Sequence, residues 1–319
     1  MTHTSLVSVI IPSYNRYESL LNAIRSVQKQ THQPLEIIVV NDGSTDFRYY
    51  RHPPNGVKMI NLHPSSRQRV GHPAPGLVRN AALTVARGQY IAFLDDDDIW
   101  FPWKLQKQLT AMIETGCQMS CTDGLIGHGP YNQQKQYAKY NQEHAWETLT
   151  RIHREKNSPY QLFPQIWTRD FLQIHNTVIC SSVVIQRDIV KQVGLFEPLQ
   201  FGEDYQYWLR VLQLTNCVYV NDSCFYYDCD HGQSYYKCPT SRIGIHPSTP
   251  TPTTVHPRQF RTRNTTTRTT IFPTKARFPN QIPVSDSPTI GSVWTIQLPS
   301  TNCNCPKNKS MIGSKSTIR

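Results

Sequence analysis

Apolar positions in the first hundred residues fall into short unbroken runs separated by stretches with helical spacing. Val7-Ser8-Val9-Ile10-Ile11 runs into Pro12 and predicts a buried strand. Leu20, Leu21, Ile24 and Val27 then recur with a helical period over residues 17–29. Leu35 to Val40 predicts a second buried strand, turned by Asn41-Asp42-Gly43-Ser44, and Val57 to Leu62 a third. Leu77 to Ala86 reads as a helix stopped at Gly88, and Tyr90 to Leu94 as another strand. Pro102 opens a helix that runs to about Glu114. Strands alternating with helices predict an α/β fold, a Rossmann-like and mostly parallel sheet with helices on both faces.

The pattern loosens afterwards. Residues 128–172, rich in Gln, Tyr, His and Trp, predict an irregular insertion with some helix. Val178 to Ile185 is strand-like, Glu203 to Leu214 helical, and Cys217 to Val220 and Cys224 to Tyr227 are short strands. After Cys238, Pro, Thr, Ser, Asn and Arg dominate, as in Pro247-Ser248-Thr249-Pro250-Thr251-Pro252. Such a segment buries too little apolar surface to offset its ordering entropy. The expectation is a folded domain over 1–238 and a disordered basic tail over 239–319.

Charge sharpens that division. The net charge is +11, but residues 240–319 hold seven Arg and four Lys against one acid, Asp286, so ten of those charges lie in the tail. The front is balanced, which argues against specific nucleic-acid binding there; the tail is suited to weak contact with an anionic surface. No apolar run approaches the roughly 18 residues of a membrane helix, and Met1 to Ser5 lacks a basic leader. The nine Cys carry no zinc spacing, so the expectation is a reduced, cytoplasmic protein, peripheral to a membrane at most.

In an open parallel sheet, ligands bind beyond the carboxyl ends of the strands. Three polar clusters fall there: Pro12-Ser13-Tyr14-Asn15-Arg16, Asn41 to Asp46, and Asp95-Asp96-Asp97-Asp98. Four adjacent carboxylates repel one another, and keeping them ionised in a cleft requires a cation or heavy solvation. Mg²⁺ takes one or two carboxylates together with substrate phosphates. A solvated acidic turn is the plain alternative, but the apolar strand before the run and Trp100 and Trp103 after it argue for partial burial.

Val-Ser-Val-Ile-Ile-Pro-Ser-Tyr-Asn-Arg (7–16), Glu-Ile-Ile-Val-Val-Asn-Asp-Gly-Ser-Thr-Asp (36–46), Ala-Arg-Gly-Gln-Tyr-Ile-Ala-Phe-Leu-Asp-Asp-Asp-Asp (86–98) and Gly-Glu-Asp-Tyr-Gln-Tyr-Trp-Leu-Arg (202–210) follow in order. Together they resemble the family 2 glycosyltransferases of the GT-A fold, from about residue 5 to Ser234. The resemblance implies a nucleotide-sugar half over about 1–125 and an acceptor half over 126–238. It implies a nucleoside-diphosphate sugar donor, a divalent cation (Mg²⁺ or Mn²⁺), a glycan, lipid or protein acceptor, and inversion at the anomeric carbon. By matching position, Pro12 and Tyr14 would line the base and ribose pocket, Asp42 would bond the base, and Arg79 would contact the nucleotide. Asp95 and Asp97 match the DxD motif, the first serving the ribose and the last the metal. Asp96 is grouped with the nucleotide-sugar contacts, and Asp98 with the metal. Glu203 and Asp204 match the pair that supplies the general base, and His231 a histidine that reaches the diphosphate or metal.

Each residue also has a plain structural alternative: Asp204 as a helix cap, Arg79 as an ion-pair partner, Tyr14 as core packing, His231 as a surface histidine. Asp123 reads as a turn aspartate before Gly124. Asn41 stands where the family often has an acid, Ala82 where it often has glycine, and Phe47 to Pro75 has no clear counterpart. Two other activities compete. A nucleotidyltransferase would show a Gly- and Arg/Lys-rich loop after the first strand, which Pro-Ser-Tyr-Asn-Arg is not. A catalytically weak or dead nucleotide-sugar- or glycan-binding module, tethered by its tail, sits poorly with the intact set of acids.

Overall fold

The computed structural model describes residues 5–156, 163–230 and 293–296. Its elements run β1 (Val7–Ser13), α1 (Tyr17–Gln28), β2 (Leu35–Asn41), α2 (Arg48–Arg51), β3 (Lys58–Leu62), α3 (Ser66–Val70), α4 (Pro75–Leu83), β4 (Tyr90–Phe93) and β5 (Ile99–Trp100). They continue with α5 (Lys104–Thr115), β6 (Met119–Gly127), β7 (Ala138–Lys139), a π-helical turn (Tyr140–Ala145), α6 (Trp146–Lys156), β8 (Ile166–Trp167) and α7 (Arg169–Ile174). A 3₁₀ turn (Cys180–Ser182), β9 (Val184–Gln186), α8 (Arg187–Val193), α9 (Glu203–Val211), β10 (Cys217–Asp228) and β11 (Val293–Ile296) complete the order.

One sheet carries the described residues, with the spatial order β11-β3-β2-β1-β4-β9-β6-β10-β5. From β11 to β4 every ladder is parallel, as the alternating pattern predicts. Beyond β4 the sheet is mixed, because β9 runs antiparallel to both β4 and β6. The apolar run Val178 to Ile185 hides this. Its middle folds into the 3₁₀ turn, where the Ser182 hydroxyl donates to the Ile179 carbonyl at 2.7 Å, so only its end is strand. The two short strands read from 217–227 are one irregular strand whose register against β6 shifts twice.

Two apolar layers sandwich the sheet. Leu20, Ile24 and Val27 of α1 and Leu105, Leu109 and Met112 of α5 cover one face with Val7, Val9 and Ile11. The other face holds Val78, Ala81 and Ala82 of α4 and Tyr207, Trp208 and Val211 of α9 against Ile10, Ile38 and Phe93. Alternate residues of β1 therefore serve opposite cores, as a strand buried on both sides requires. The insertion is anchored by Asp123, a wholly buried residue. Its oxygens accept from the N–H groups of Gly124, Asn141 and Gln142 and from the Tyr219 hydroxyl. The expected turn aspartate thus also holds the start of the π-helical turn.

Of the tail, only Val293–Ile296 is described; it pairs in parallel along β3, whose outer edge is otherwise uncovered by a strand. The boundary expected at residue 238 lies outside the described residues. No helix among the described residues is long and apolar enough to cross a membrane.

Gly124 lies in β6 where the Phe225 ring of β10 crosses; a Cβ there would come within 2.5 Å of ring atoms. Gly124→Ala is expected to cost about 1–3 kcal/mol by overpacking. The shift of the urea denaturation midpoint measures it.

Candidate active site

The polar clusters converge because β1, β2 and β4 are parallel neighbours that end on the same side of the sheet. Asn15 holds the first two turns together. Its backbone adopts φ 53°, a left-handed conformation that Asn tolerates. From there its side-chain oxygen accepts from the N–H groups of Thr45 and Asp46 at 2.8 and 3.3 Å, and its own N–H donates to Ser44. Asn41 is buried, donating to Asn61 at 2.8 Å and accepting from the Ser44 N–H at 2.9 Å. An amide supplies both a donor and an acceptor, so it holds this turn where the family often has an acid.

The four aspartates divide. Asp96 is buried and accepts from the Ser13 hydroxyl at 2.6 Å and from Arg16 at 3.1 Å. Asp98 is also wholly buried, accepting from the Ser181 hydroxyl at 2.5 Å and the Asp228 N–H at 3.1 Å. Burial first, then the charges of Asp97 and Asp95, raises its carboxyl far above the usual range. This corrects the expectation that Asp98 is a metal ligand and moves Asp96 off the ligand-facing surface. Both are internal anchors of the turn, tying it to β1 and to the end of β10.

Asp95 is the more exposed, with 29% of its side chain accessible, against 8% for Asp97. The Asp95 N–H donates to Ser181 at 3.0 Å, and its carboxylate accepts from Arg79 at 2.7 Å. Asp97 accepts from Arg16 at 2.8 Å. Burial, reinforced by the neighbouring charge of Asp96 and opposed by Arg16, pushes Asp97 up to about 7. A bound cation would relieve that repulsion. Among the described residues no three His, Cys, Asp or Glu side chains gather to hold a metal unaided. One or two carboxylates completed by phosphate oxygens is the Mg²⁺ pattern, and the DxD pair fits it.

Arg79 connects this turn to the acidic pair on α9. Its side chain is 4% exposed; Nη1 donates to Glu203 at 2.9 Å and Nη2 to Asp95 at 2.7 Å. Its Nε lies buried with no hydrogen-bond partner in the structure. Ala82 is buried inside α4 and does not displace Arg79. The next residue, Asn80, locks α4 to the segment before α9 through bonds of 2.9 and 2.8 Å with the Phe196 carbonyl and N–H. Gly76 permits that approach: a Cβ there would meet the Glu197 carbonyl at 2.9 Å and Glu203 Cγ at 3.2 Å. Asp204 is half-buried at the start of α9. Burial and the adjacent Glu203 push its carboxyl up to about 6, while Arg79 and the Tyr205 N–H pull it back.

Of the expected nucleotide contacts, Pro12 is half-buried and Tyr14 is 54% exposed, which rules out core packing for Tyr14. Both carboxylate oxygens of Asp42 accept from Ser66, at 2.6 Å from its N–H and 2.5 Å from its hydroxyl. An open cleft of about 300 Å³ adjoins this turn, lined by Gly43, Asn61, His63 and Gln68 among others. His231 lies outside the described residues. Tyr49, which bonds Ser13 and the Arg16 N–H, Ser66 and Ser181 escape sequence reasoning as parts of the site. Ser13 and Arg16 carried a signal only as members of the first cluster.

Known proteins resemble this chain in sequence and in fold. The sequence model described as Glycosyl transferase family 2 matches residues 8–49 and 67–174; the gap falls inside the stretch Phe47 to Pro75 and the match reaches into both ends of that stretch. TuaG of Bacillus subtilis (strain 168), a glycosyltransferase assigned to teichuronic acid biosynthesis, is 31% identical over 228 residues, covering 69% of this chain and 77% of that protein. WfgD of Escherichia coli, a UDP-Glc:alpha-D-GlcNAc-diphosphoundecaprenol beta-1,3-glucosyltransferase, is 29% identical over 221 residues, covering 68% of this chain and 73% of that one. Among solved structures, S. aureus TarS matches with a TM-score of 0.51 and 21% identity over 70% of this chain and 36% of TarS, a likeness of fold. The chain therefore belongs to glycosyl transferase family 2 and is a glycosyltransferase.

Proposed function

We propose that the chain moves a sugar from a nucleoside-diphosphate sugar to an acceptor hydroxyl with inversion at the anomeric carbon. The observation that carries this reading is the single Arg79 side chain bonded to both Asp95 and Glu203. It brings the donor-side acids and the α9 acids, more than a hundred residues apart, into one network. Asp204 is the general base: half-buried, held at the start of α9, and raised toward neutrality, it takes the proton of the attacking hydroxyl. Glu203, held by Arg79, positions α9 and supplies the charge that raises Asp204.

Asp97, with Asp95, would hold a divalent cation, Mg²⁺ or Mn²⁺. Such an ion supplies positive charge to the departing diphosphate. Pro12, Tyr14 and Asp42 flank the nucleotide. Relatives such as WfgD, by its name, act on a sugar linked through diphosphate to undecaprenol. A lipid-linked glycan is accordingly the acceptor class proposed here, reached from a peripheral position at the membrane.

Four outcomes follow. Arg79→Met leaves two carboxylates without their buried partner and should cost about 3–5 kcal/mol in chemical denaturation, whereas Arg79→Lys keeps part of the network. Asp204→Asn should retain donor binding and lower kcat by about 10²–10⁴-fold. In the wild type, kcat/KM should be flat above neutrality and fall as pH drops through about 6, because the base must be ionised. An added limb from Asp97 should shift to lower pH as Mn²⁺ is raised. Finally, Asp97→Asn should abolish cation-dependent donor binding in calorimetry, whereas Asp98→Asn, at a wholly buried carboxyl bonded to Ser181 and the Asp228 N–H, should leave it in place.

A further inference from the structure

A second cleft opens on the outer edge of β10. β8 pairs with Cys217 and Val218, and β5 with Phe225 and Tyr226, so among the described residues the stretch between them has no strand neighbour on that side. The opening measures about 640 Å³ and is lined by Gln142, Trp146, Phe163, Gln165, Tyr219 and Asn221, with Ala111 and Val220. Among the described residues, no lining side chain carries a charge.

Its aromatic wall is fixed in advance. Tyr219 stacks on Trp167 with centroids 4.8 Å apart and planes 17° off parallel, and its hydroxyl donates to Asp123 at 3.1 Å. Phe163 packs edge-on against Trp146 at 5.4 Å and lies 4.9 Å from Tyr219. Gln142 is held through its backbone N–H, which also donates to Asp123 at 3.1 Å. One buried carboxylate therefore positions two of the lining residues.

We infer that this cleft binds a neutral saccharide, a remote portion of the acceptor glycan; the word acceptor rests on the transferase reading above. Aromatic faces accept the C–H faces of sugar rings, and carboxamides offer both donors and acceptors to hydroxyls. A diphosphate or an anionic headgroup would find no countercharge here. An alkyl chain would cover the three carboxamides and leave them unpaired. The volume lies within the range of about 300–1,000 Å³ usual for small-ligand sites.

The ladder sets its distance from the reaction. Ala92 pairs with Val184, Val184 with Ser120, and Ser120 with Val218. Val220 is therefore level with Leu94, the residue before the aspartates. Three strand spacings of roughly 4.8 Å put about 14 Å between them. That separation suits an oligosaccharide acceptor, one of whose sugars is held in the cleft while another reacts.

The test uses the full chain and reads binding without turnover. The indole N–H signal of Trp146, assigned with Trp146→Phe, is followed by NMR during titration with cellobiose, maltose and N,N′-diacetylchitobiose, and separately with decanol. A disaccharide should shift that signal, and the exposed-site variants Gln165→Ala and Asn221→Ala should each weaken binding by about fivefold. A response to decanol but to no disaccharide overturns the inference, as does no response to any disaccharide or a response that neither variant weakens. Mn²⁺-dependent UDP binding is measured on the same sample. Its absence alongside a saccharide response would tell against the transferase reading and leave the cleft standing.

Discussion

Buried like charge is the constraint around which this site is arranged. Asp95, Asp96, Asp97, Asp98, Glu203 and Asp204 converge where three parallel strands end, and two guanidinium groups hold most of them. Arg16 spans Asp96 and Asp97, and Arg79 spans Asp95 and Glu203. Each arginine presents fixed, parallel donors, which a lysine cannot reproduce. Removing either would leave carboxylates facing one another in a poorly solvated pocket. Asp96 and Asp98 are bonded inside the turn, to Ser13 and Arg16 and to Ser181 and the Asp228 N–H, while Asp95, bonded to Arg79, keeps more of its side chain accessible.

The same constraint explains the supporting polar residues. Ser13, Ser181 and Ser66 each give a short hydrogen bond to a carboxylate. Such bonds favour the charged form and offset part of its desolvation. Asn41 and Asn15 fix the turns that carry these groups by offering donors and acceptors without adding charge. Asn80 ties α4 to the Phe196 backbone in the segment that leads to α9.

How much of this was legible in the sequence depends on range. The parallel half of the sheet was readable because runs such as Val7 to Ile11 and Leu35 to Val40 are continuous and end in turn residues. The antiparallel β9 was not: only its first two residues lie in the apolar run Val178 to Ile185, and Cys180–Ser182 ahead of it form a 3₁₀ turn in which the Ser182 hydroxyl bonds the Ile179 carbonyl. The clustering of the aspartates was readable from Asp95 to Asp98 as a string. Their division was not, since it depends on Ser181 and Asp228, which lie 83 and 130 residues from Asp98. The resemblance singled out Arg79, but its paired hydrogen bonds to Asp95 and Glu203 join residues too far apart in sequence to be read from it. Asp123 looked like an ordinary turn residue because its partners at Asn141, Gln142 and Tyr219 form no local pattern.

The account's central claim is that a carboxylate on α9 deprotonates a hydroxyl attacking from the side opposite the leaving diphosphate. Water can take the acceptor's place, so slow donor hydrolysis reports that geometry without knowledge of the acceptor. The decisive measurement is the anomeric configuration of the sugar first released from an α-linked nucleotide sugar, read by NMR before mutarotation. The account predicts the β anomer. First release of the α anomer would contradict it.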